Sequence, residues 1–187
     1  MSKYLCLSFD DGPNIIPGDT TMNDMLDIME KHNVPGSFFL IGNKITEENK
    51  KIIMRAVKMG CDIQNHSWTH SFMSKMTPEQ IREEYKKCDD VITELVGVRP
   101  TFFRPPYVDL SQTMYDNISV PFICGRGVAD WEPDKDADYR YEHMLPFVLT
   151  TNLTEEQLGN YLGGAVYSRI CEMCNAVMTS GKDHRRA

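Results

Sequence analysis

Two adjacent aspartates and a spaced pair of histidines are the residues of this sequence best suited to chemistry. Asp10 and Asp11 follow an apolar segment, and His66 and His70 enclose Ser-Trp-Thr. Two histidines four positions apart can point the same way from a helical turn or tight loop, and a carboxylate from a neighbouring loop completes a ligand set of two histidines and one carboxylate. Such a set leaves coordination positions open for water and substrate, which is typical of a reactive metal centre.

The two aspartates can divide the work at this centre, because successive residues that leave a strand point in different directions. One carboxylate can bind the metal while the other accepts a proton from water. A carboxylate base must be oriented and kept ionised, and Arg104 is the available partner because its guanidinium is always charged. Pro105 and Pro106 stiffen the following loop, which would hold the backbone N–H of Tyr107 as an oxyanion donor.

The elements that must position these residues alternate between short apolar runs and amphipathic stretches, a pattern that indicates βα units and a parallel sheet. Helices are expected at 21–32, at 46–59 and from Pro78 to about residue 96, where Thr77 and Gln80 form a capping box. Strands are expected at 4–9, 37–41, 61–65, 101–103 and 120–124. Four of these strands lead into the polar segments above or into Asp130 and Trp131, at the ends where parallel α/β folds place their sites.

Taken one at a time, these segments have ordinary structural explanations. Asp-Gly-Pro forms turns, paired aspartates are often solvated, and a lone histidine is more often a surface or core residue than a ligand. Further along, a strand is expected at 145–150, a helix from 154 and another at 165–180. The six cysteines are expected to be mostly buried thiols, and Cys171 and Cys174 to pack within a helix rather than bind metal.

Composition excludes several function classes. The chain has 187 residues, 41% hydrophobic and 25% charged, which is typical of one soluble globular domain with a self-sufficient core. Its net charge of −7 and the lack of a basic cluster argue against a nucleic-acid partner. No apolar run is long enough for a membrane helix, and we expect no export signal in the first ten residues.

Together, the four segments resemble the motifs of the polysaccharide deacetylases of carbohydrate esterase family 4, also called the NodB homology domain. The resemblance covers about residues 3–131 and implies an α/β fold, a distorted, incomplete (β/α) barrel with parallel strands, with a single domain at 1–187. It implies a metal-dependent enzyme that removes acetyl groups from polysaccharides, with zinc expected and cobalt as the alternative. The implied site residues are Asp10 as base, Asp11, His66 and His70 as metal ligands, Arg104 as partner of Asp10, Asp130 as a further catalytic residue, the Tyr107 amide as oxyanion donor, and Pro106, Tyr107 and Trp131 around the acetyl group.

The resemblance fails in two places. Gly127 stands where the family usually has an acidic residue, and no Leu-x-His follows Trp131 to supply the family's general acid. His143 and His184 are the remaining histidines of residues 132–187; His143 lies before the expected strand at 145–150, and His184 lies in a polar terminal segment. This part of the chain is therefore atypical for the family. Loss of the general acid should slow the hydrolysis of amides more than that of esters, because the leaving nitrogen of an amide needs protonation.

The leading hypothesis is an acetyl xylan esterase, because residues 66–70, 102–106 and 122–133 most resemble such members. The alternatives are an N-deacetylase of chitin or peptidoglycan N-acetylglucosamine, and a catalytically weak module that binds metal and carbohydrate. An acetylated polysaccharide or oligosaccharide is the expected partner, and a homodimer formed through the C-terminal part is a further hypothesis. The resemblance implies a secreted or cell-surface protein.

Overall fold

The computed structural model describes residues 3–4, 7–124, 131–136, 138–139 and 149–150. Contacts divide the chain into two compact units, one formed by Ser8–Cys124 and the other by Met1–Leu7 with Gly125–Ala187. The described strands are β1 (Lys3–Tyr4), β2 (Ser8–Gly12), β3 (Ser37–Leu40), β4 (Asp62–Asn65) and β5 (Leu149–Thr150), and the described helices are α1 (Thr21–His32), α2 (Lys50–Lys58), α3 (Pro78–Val96) and α4 (Gln112–Asn117).

The unit Ser8–Cys124 is built on a parallel sheet with the order β2-β3-β4. Ser37 pairs with Asp62 and Leu40 with Asn65, and the sheet continues through single parallel bridges from Asn65 to Phe103 and from Phe103 to Phe122. The α/β class with parallel strands is thus confirmed.

The strands expected at 101–103 and 120–124 were overpredicted, because each is reduced to one bridging residue. Pro100, Pro105 and Pro121 lie beside these bridges and have no N–H to extend a ladder.

The first predicted strand, at 4–9, was wrong in its bounds. The chain forms β1 and β2 instead, and β1 pairs antiparallel with β5 in the smaller unit. In the larger unit, β2 runs on to Gly12 and shifts register against β3 between Phe9 and Gly12. Asp10 and Asp11 therefore lie within an irregular strand end, a β-bulge, rather than after the strand. A bulge bends a strand and re-aims its side chains, which matters for the site below.

The capping residues in the sequence correctly predicted the ends of two helices. The C-cap of α1 is Asn33, which adopts a left-handed conformation with φ 52°. α3 has both hydrogen bonds of the capping box between Thr77 and Gln80, and its C-cap is Gly97 with φ 79°. The start of α2 was predicted four residues too early, because Asn49 accepts the N–H of Thr46 and holds residues 46–49 in a turn. Ser111 caps α4, which was not predicted, by accepting from the N–H of Met114.

Two apolar clusters support the sheet. The larger one lies between β3, β4 and the first three helices, and the smaller one packs around Phe103. Each large apolar side chain that is fully buried contributes about 1.5–3 kcal/mol. The buried members of the two clusters include Leu26, Phe38, Leu40, Ile53, Ile63 and Ile92 in the first, and Met73, Ile81, Met114 and Ile118 in the second.

The prediction of buried cysteines is confirmed for two of the described residues and wrong for one. Cys61 and Cys88 are buried free thiols, whereas Cys124 is exposed at the end of the larger unit. Burial raises the pKa of the Cys88 thiol to about 12, so this group is inert packing. Cys171, Cys174 and the helices expected from 154 onward lie outside the described residues. Among the residues that are described, no helix combines the length and apolarity needed to cross a membrane.

Candidate metal centre

Three side chains expected to bind metal converge at the carboxyl end of the parallel sheet. Asp11 lies in the bulge of β2, and His66 and His70 lie in the loop that follows β4. Each offers one ligand atom, and these three atoms lie within 4.8 Å of one another. Asp11 Oδ1 is 3.3 Å from His66 Nε2 and 2.9 Å from His70 Nε2. The histidines point the same way from a tight loop, not from a helix.

One hydrogen bond sets the tautomer of His66. Its Nδ1 lies 2.6 Å from the carbonyl oxygen of Arg104, and this ring is almost fully buried. Because a carbonyl oxygen can only accept, Nδ1 carries the hydrogen and donates it. In the neutral ring, Nε2 then presents its lone pair toward Asp11. This is the arrangement of a ligating histidine whose other nitrogen is held by a carbonyl.

The donor set fits a divalent transition metal. Ligand atoms about 2.0–2.2 Å from a tetrahedral zinc lie roughly 3.4 Å apart. The separation of 3.3 Å between Asp11 and His66 is close to this value, and that of 2.9 Å between Asp11 and His70 is shorter. When both imidazoles are doubly protonated, their Nε2–H groups donate to Asp11 and hold the pKa of its carboxyl well below the usual range, although burial opposes this shift. With neutral rings, a cation would stabilise the same carboxylate charge. Two imidazoles and a carboxylate are also the ligand types that such ions prefer.

Asp10 is not part of this group of three ligand atoms and pairs with Arg104. Arg104 Nη1 donates to Asp10 Oδ1 at 2.6 Å and lies 3.0 Å from Ser8 Oγ, while its Nε donates to the carbonyl of Ile123 at 3.0 Å. The Arg104 side chain is only 6% exposed, whereas that of Asp10 is 37% exposed. The guanidinium of Arg104 also lies 3.9 Å from the centroid of the Phe39 ring. The arginine is thus fixed from several sides and holds one oxygen of an accessible carboxylate.

Contacts from α3 support the loop that carries the histidines. Asn65 donates to the carbonyl of Tyr85 and accepts the N–H of Ser67. The carboxylate of Glu84 accepts both the N–H and the hydroxyl of Thr69, at 2.8 and 2.9 Å. His70, the next residue, has a left-handed backbone with φ 60°. A non-glycine residue in this region costs about 1–3 kcal/mol, so the surrounding contacts must hold it there.

An aromatic surface borders the centre on one side. The Tyr107 ring stacks on Phe72 with centroids 4.1 Å apart and tilts against His70 at 4.6 Å. Tyr107 and Val108 both have positive φ, in a short 3₁₀ turn that begins at the buried Pro106. The tyrosine is 57% exposed, so part of this surface faces solvent.

Two open cavities lie near the centre. One of about 380 Å³ is lined by Asp11, Ile15, Ile41, Asn43, Lys44, Thr69 and His70, and is the one that reaches the ligand atoms. The other, of about 570 Å³, lies between residues 14–19 and the start of α2 and holds no ligand atom. Ile15 lines both cavities and is 60% exposed.

The described structure brings together most of the predicted site. Asp10, Asp11, His66, His70 and Arg104 meet as the motif spacing implied. Tyr107 and Pro106 lie beside them, through the Tyr107–His70 ring contact. Asp130, Gly127, His143 and His184 lie outside the described residues. Trp131 belongs to the smaller unit, where it is 72% exposed.

Sequence reasoning missed the supporting residues Asn65, Glu84, Phe72 and Lys44. Their contacts run from a side chain to a backbone or ring far away in the chain, so no local pattern announces them. The available signals were a buried asparagine at the end of a strand and a phenylalanine two residues after the second histidine.

Comparison with known proteins gives a consistent result. A family model described as polysaccharide deacetylase matches residues 1–119. A bifunctional xylanase/deacetylase from Pseudobutyrivibrio xylanivorans is 42% identical over 143 residues, which are 76% of this chain and 23% of that protein. The chain therefore spans about a quarter of the length of this relative.

Two solved structures share the fold at substantial identity. One is the Xyl-CE4 domain of a multidomain xylanase from the hindgut metagenome of Trinervitermes trinervoides, with a TM-score of 0.73, 39% identity, and coverage of 78% of this chain and 69% of that one. The other is a family 4 acetyl xylan esterase from Clostridium thermocellum in complex with a cobalt ion, with a TM-score of 0.70, 35% identity, and coverage of 76% and 68%.

Proposed function

Because the chain belongs to the polysaccharide deacetylase family, we propose that it is a metal-dependent hydrolase that removes acetyl groups from a polysaccharide. The observation that carries this proposal is the convergence of Asp11, His66 and His70, with His66 held in the tautomer that a ligand needs. The substrate we propose is O-acetyl xylan. The xylan-related names of the relatives support this choice, among them an acetyl xylan esterase at 35% identity.

Asp11, His66 and His70 would hold a divalent metal, zinc in the first instance and cobalt as the alternative. When bound, such an ion lowers the pKa of water and polarises a carbonyl group. The cavity of about 380 Å³ that Asp11 and His70 line leaves room for a substrate acyl group. The carbonyl of Arg104 keeps the proton of His66 on Nδ1, away from the face that would bind the ion.

Asp10 acts in this proposal as the base that takes a proton from the attacking water. Its hydrogen bond from Arg104 orients the carboxylate. The arginine is itself held by the carbonyl of Ile123 and the hydroxyl of Ser8, so the base is positioned by a rigid partner. A positioned base of this kind contributes about 10²–10⁴-fold to a rate.

The backbone N–H of Tyr107 would donate to the oxyanion that forms on the acetyl carbonyl. Support comes from the left-handed backbone of Tyr107 and from its ring, which is stacked on Phe72 and touches His70. Pro106 and the ring of Tyr107 would bound the acetyl methyl group. Asp130 and Trp131 stay candidates for roles in the reaction, because the Asp-Trp pair resembles the family's fourth motif.

Acetate release from acetylated xylan tests the proposal. Protein freed of metal and then given Zn²⁺ or Co²⁺ should release acetate, and Asp10→Asn should lose most of that activity while keeping the metal. Acetylated xylan and N-acetylglucosamine oligomers compared side by side decide between ester and amide substrates. Binding of xylo-oligosaccharides without any turnover would instead support a carbohydrate-binding module.

A further inference from the structure

A short 3₁₀ turn, Gly42–Lys44, is bonded to the loop that carries the two candidate histidine ligands. The backbone N–H groups of Gly42 and Asn43 donate to the carbonyl oxygens of Ser67 and Trp68, at 3.0 and 3.1 Å. These two carbonyls lie between the histidines in sequence. The turn and the ligand loop therefore form one hydrogen-bonded unit.

The turn is packed closely against this loop. A Cβ atom on Gly42 would lie 2.6 Å from Cε3 of Trp68 and 2.9 Å from the Cα of Cys88 in α3. Only glycine allows so close an approach of backbone to its neighbours. The turn is thus packed against both the ligand loop and α3, and it gives Lys44 a fixed base.

Lys44 extends from this turn to the third ligand. Its Nζ donates to the backbone carbonyl of Asp11 at 2.8 Å. Asp11 has φ 67° and lies in the bulge of β2, where the extra residue falls outside the regular ladder. The neighbouring carbonyl, that of Gly12, is bonded at 2.7 Å to the N–H of Ile41. The ammonium group therefore satisfies a carbonyl that the bulge takes out of the sheet.

We propose that Lys44 is a positioning residue for the metal centre. The lysine fixes the backbone of Asp11, so that the carboxylate of Asp11 faces His66 and His70 before a metal binds. This inference rests on the proposed function, because it takes these three residues as ligands. The lysine bonds the carbonyl of Asp11, so both carboxylate oxygens remain available to the ion. A ligand set held in place in advance binds its metal more tightly.

Electrostatic repulsion alone predicts the opposite change in metal affinity, so the direction of the measured change distinguishes the two explanations. A lysine ammonium beside a cation site repels the cation, so its removal should tighten metal binding if charge were its only effect. Positioning predicts that the same removal weakens binding. Residues that orient metal ligands from outside the coordination sphere typically change affinity about 10–100-fold.

The experiment titrates metal-free protein with Co²⁺ by calorimetry and by visible absorption. Lys44→Met should bind Co²⁺ about 10–100-fold more weakly than the unaltered chain and change its absorption spectrum. Lys44→Arg keeps a charged donor and should recover most of the affinity. Lys51→Met, which removes an exposed lysine from α2, is the matched control and should leave the affinity unchanged.

The melting temperature of each metal-free variant shows whether weaker Co²⁺ binding comes from a lost positioning contact or from unfolding. Lys44→Gln, whose side chain is one atom shorter than lysine, is a second variant without the ammonium group. Equal or tighter Co²⁺ binding by folded Lys44→Met or Lys44→Gln, with an unchanged spectrum, would overturn the inference. Failure of the proposed function looks different: the unaltered chain and His70→Ala would then bind Co²⁺ equally weakly.

Discussion

Replacement of Arg104 by lysine keeps the positive charge and removes the planar arrangement of N–H donors, so it isolates what the guanidinium contributes. The arginine bonds Asp10, Ser8 and the carbonyl of Ile123, and its planar group lies 3.9 Å from the Phe39 ring centroid. A lysine side chain is shorter and carries its charge on a single ammonium group, so it can keep a hydrogen bond to about one of these three acceptors.

The expected cost comes from the interactions that a lysine cannot make. Two hydrogen bonds at about 1 kcal/mol each, together with part of a buried cation–π interaction of about 1–2 kcal/mol, give a decrease of roughly 2–4 kcal/mol in the free energy of unfolding. For a chain of 150–250 residues this lowers the melting temperature by roughly 4–16 °C. Asp10 loses its fixed orientation as well, so kcat for acetate release should fall at least about tenfold, as part of what a positioned base supplies.

Thermal and urea unfolding, followed with acetate-release kinetics, measure both effects. Arg82→Lys is the matched control, since Arg82 is 51% exposed and pairs with Glu79 on the surface. Its cost should stay within about 0.5 kcal/mol, with no effect on kcat. If Arg104→Lys costs no more than this control and keeps full kcat, Arg104 does not hold the base.

Three further perturbations test the packing, a buried carboxyl and the metal ligands. Gly42→Ala should lower the free energy of unfolding by about 3 kcal/mol, because its Cβ would lie 2.9 Å from the backbone of Cys88, and urea unfolding measures this. Burial raises the pKa of Asp89 above 3.8 even though Arg99 opposes the shift, so the folded state binds this proton more strongly than the unfolded state does. Ionised Asp89 therefore destabilises the fold as pH rises through its folded pKa, and the advantage of Asp89→Asn in free energy of unfolding should grow from about pH 4 upward; a constant difference would contradict this. Zn²⁺ at about 100 times its Kd should raise the free energy of unfolding by about 2.7 kcal/mol, and His70→Ala should abolish this gain in a thermal melt.

The parts of the fold that the sequence predicted are those with local causes. The capping box at Thr77 and the glycine at 97 lie within a few residues of the bonds they make, so both ends of α3 could be read from the chain. The motif residues also met as expected, because parallel strands bring their carboxyl ends to one edge. Asp11 could therefore be grouped with His66 and His70 although it lies far from both histidines in sequence.

The rest depends on contacts between distant segments. The bulge that contains Asp10 and Asp11 is a register shift against β3, which no property of the Asp-Asp pair reveals. The hydrogen bond from Lys44 to Asp11 joins residues 33 positions apart and uses a backbone acceptor, so residue types alone do not predict it. Asn49 formed a local turn where helical periodicity indicated the start of α2.

Acetate release as a function of added metal tests the central claim most directly. Metal-free protein acting on acetylated xylan should gain activity in proportion to Zn²⁺ or Co²⁺ and saturate at about one ion per chain, as a single open site requires. Asp10→Asn should bind the same ion and release almost no acetate. Full activity in metal-free protein, or equal activity in Asp10→Asn, would contradict the account.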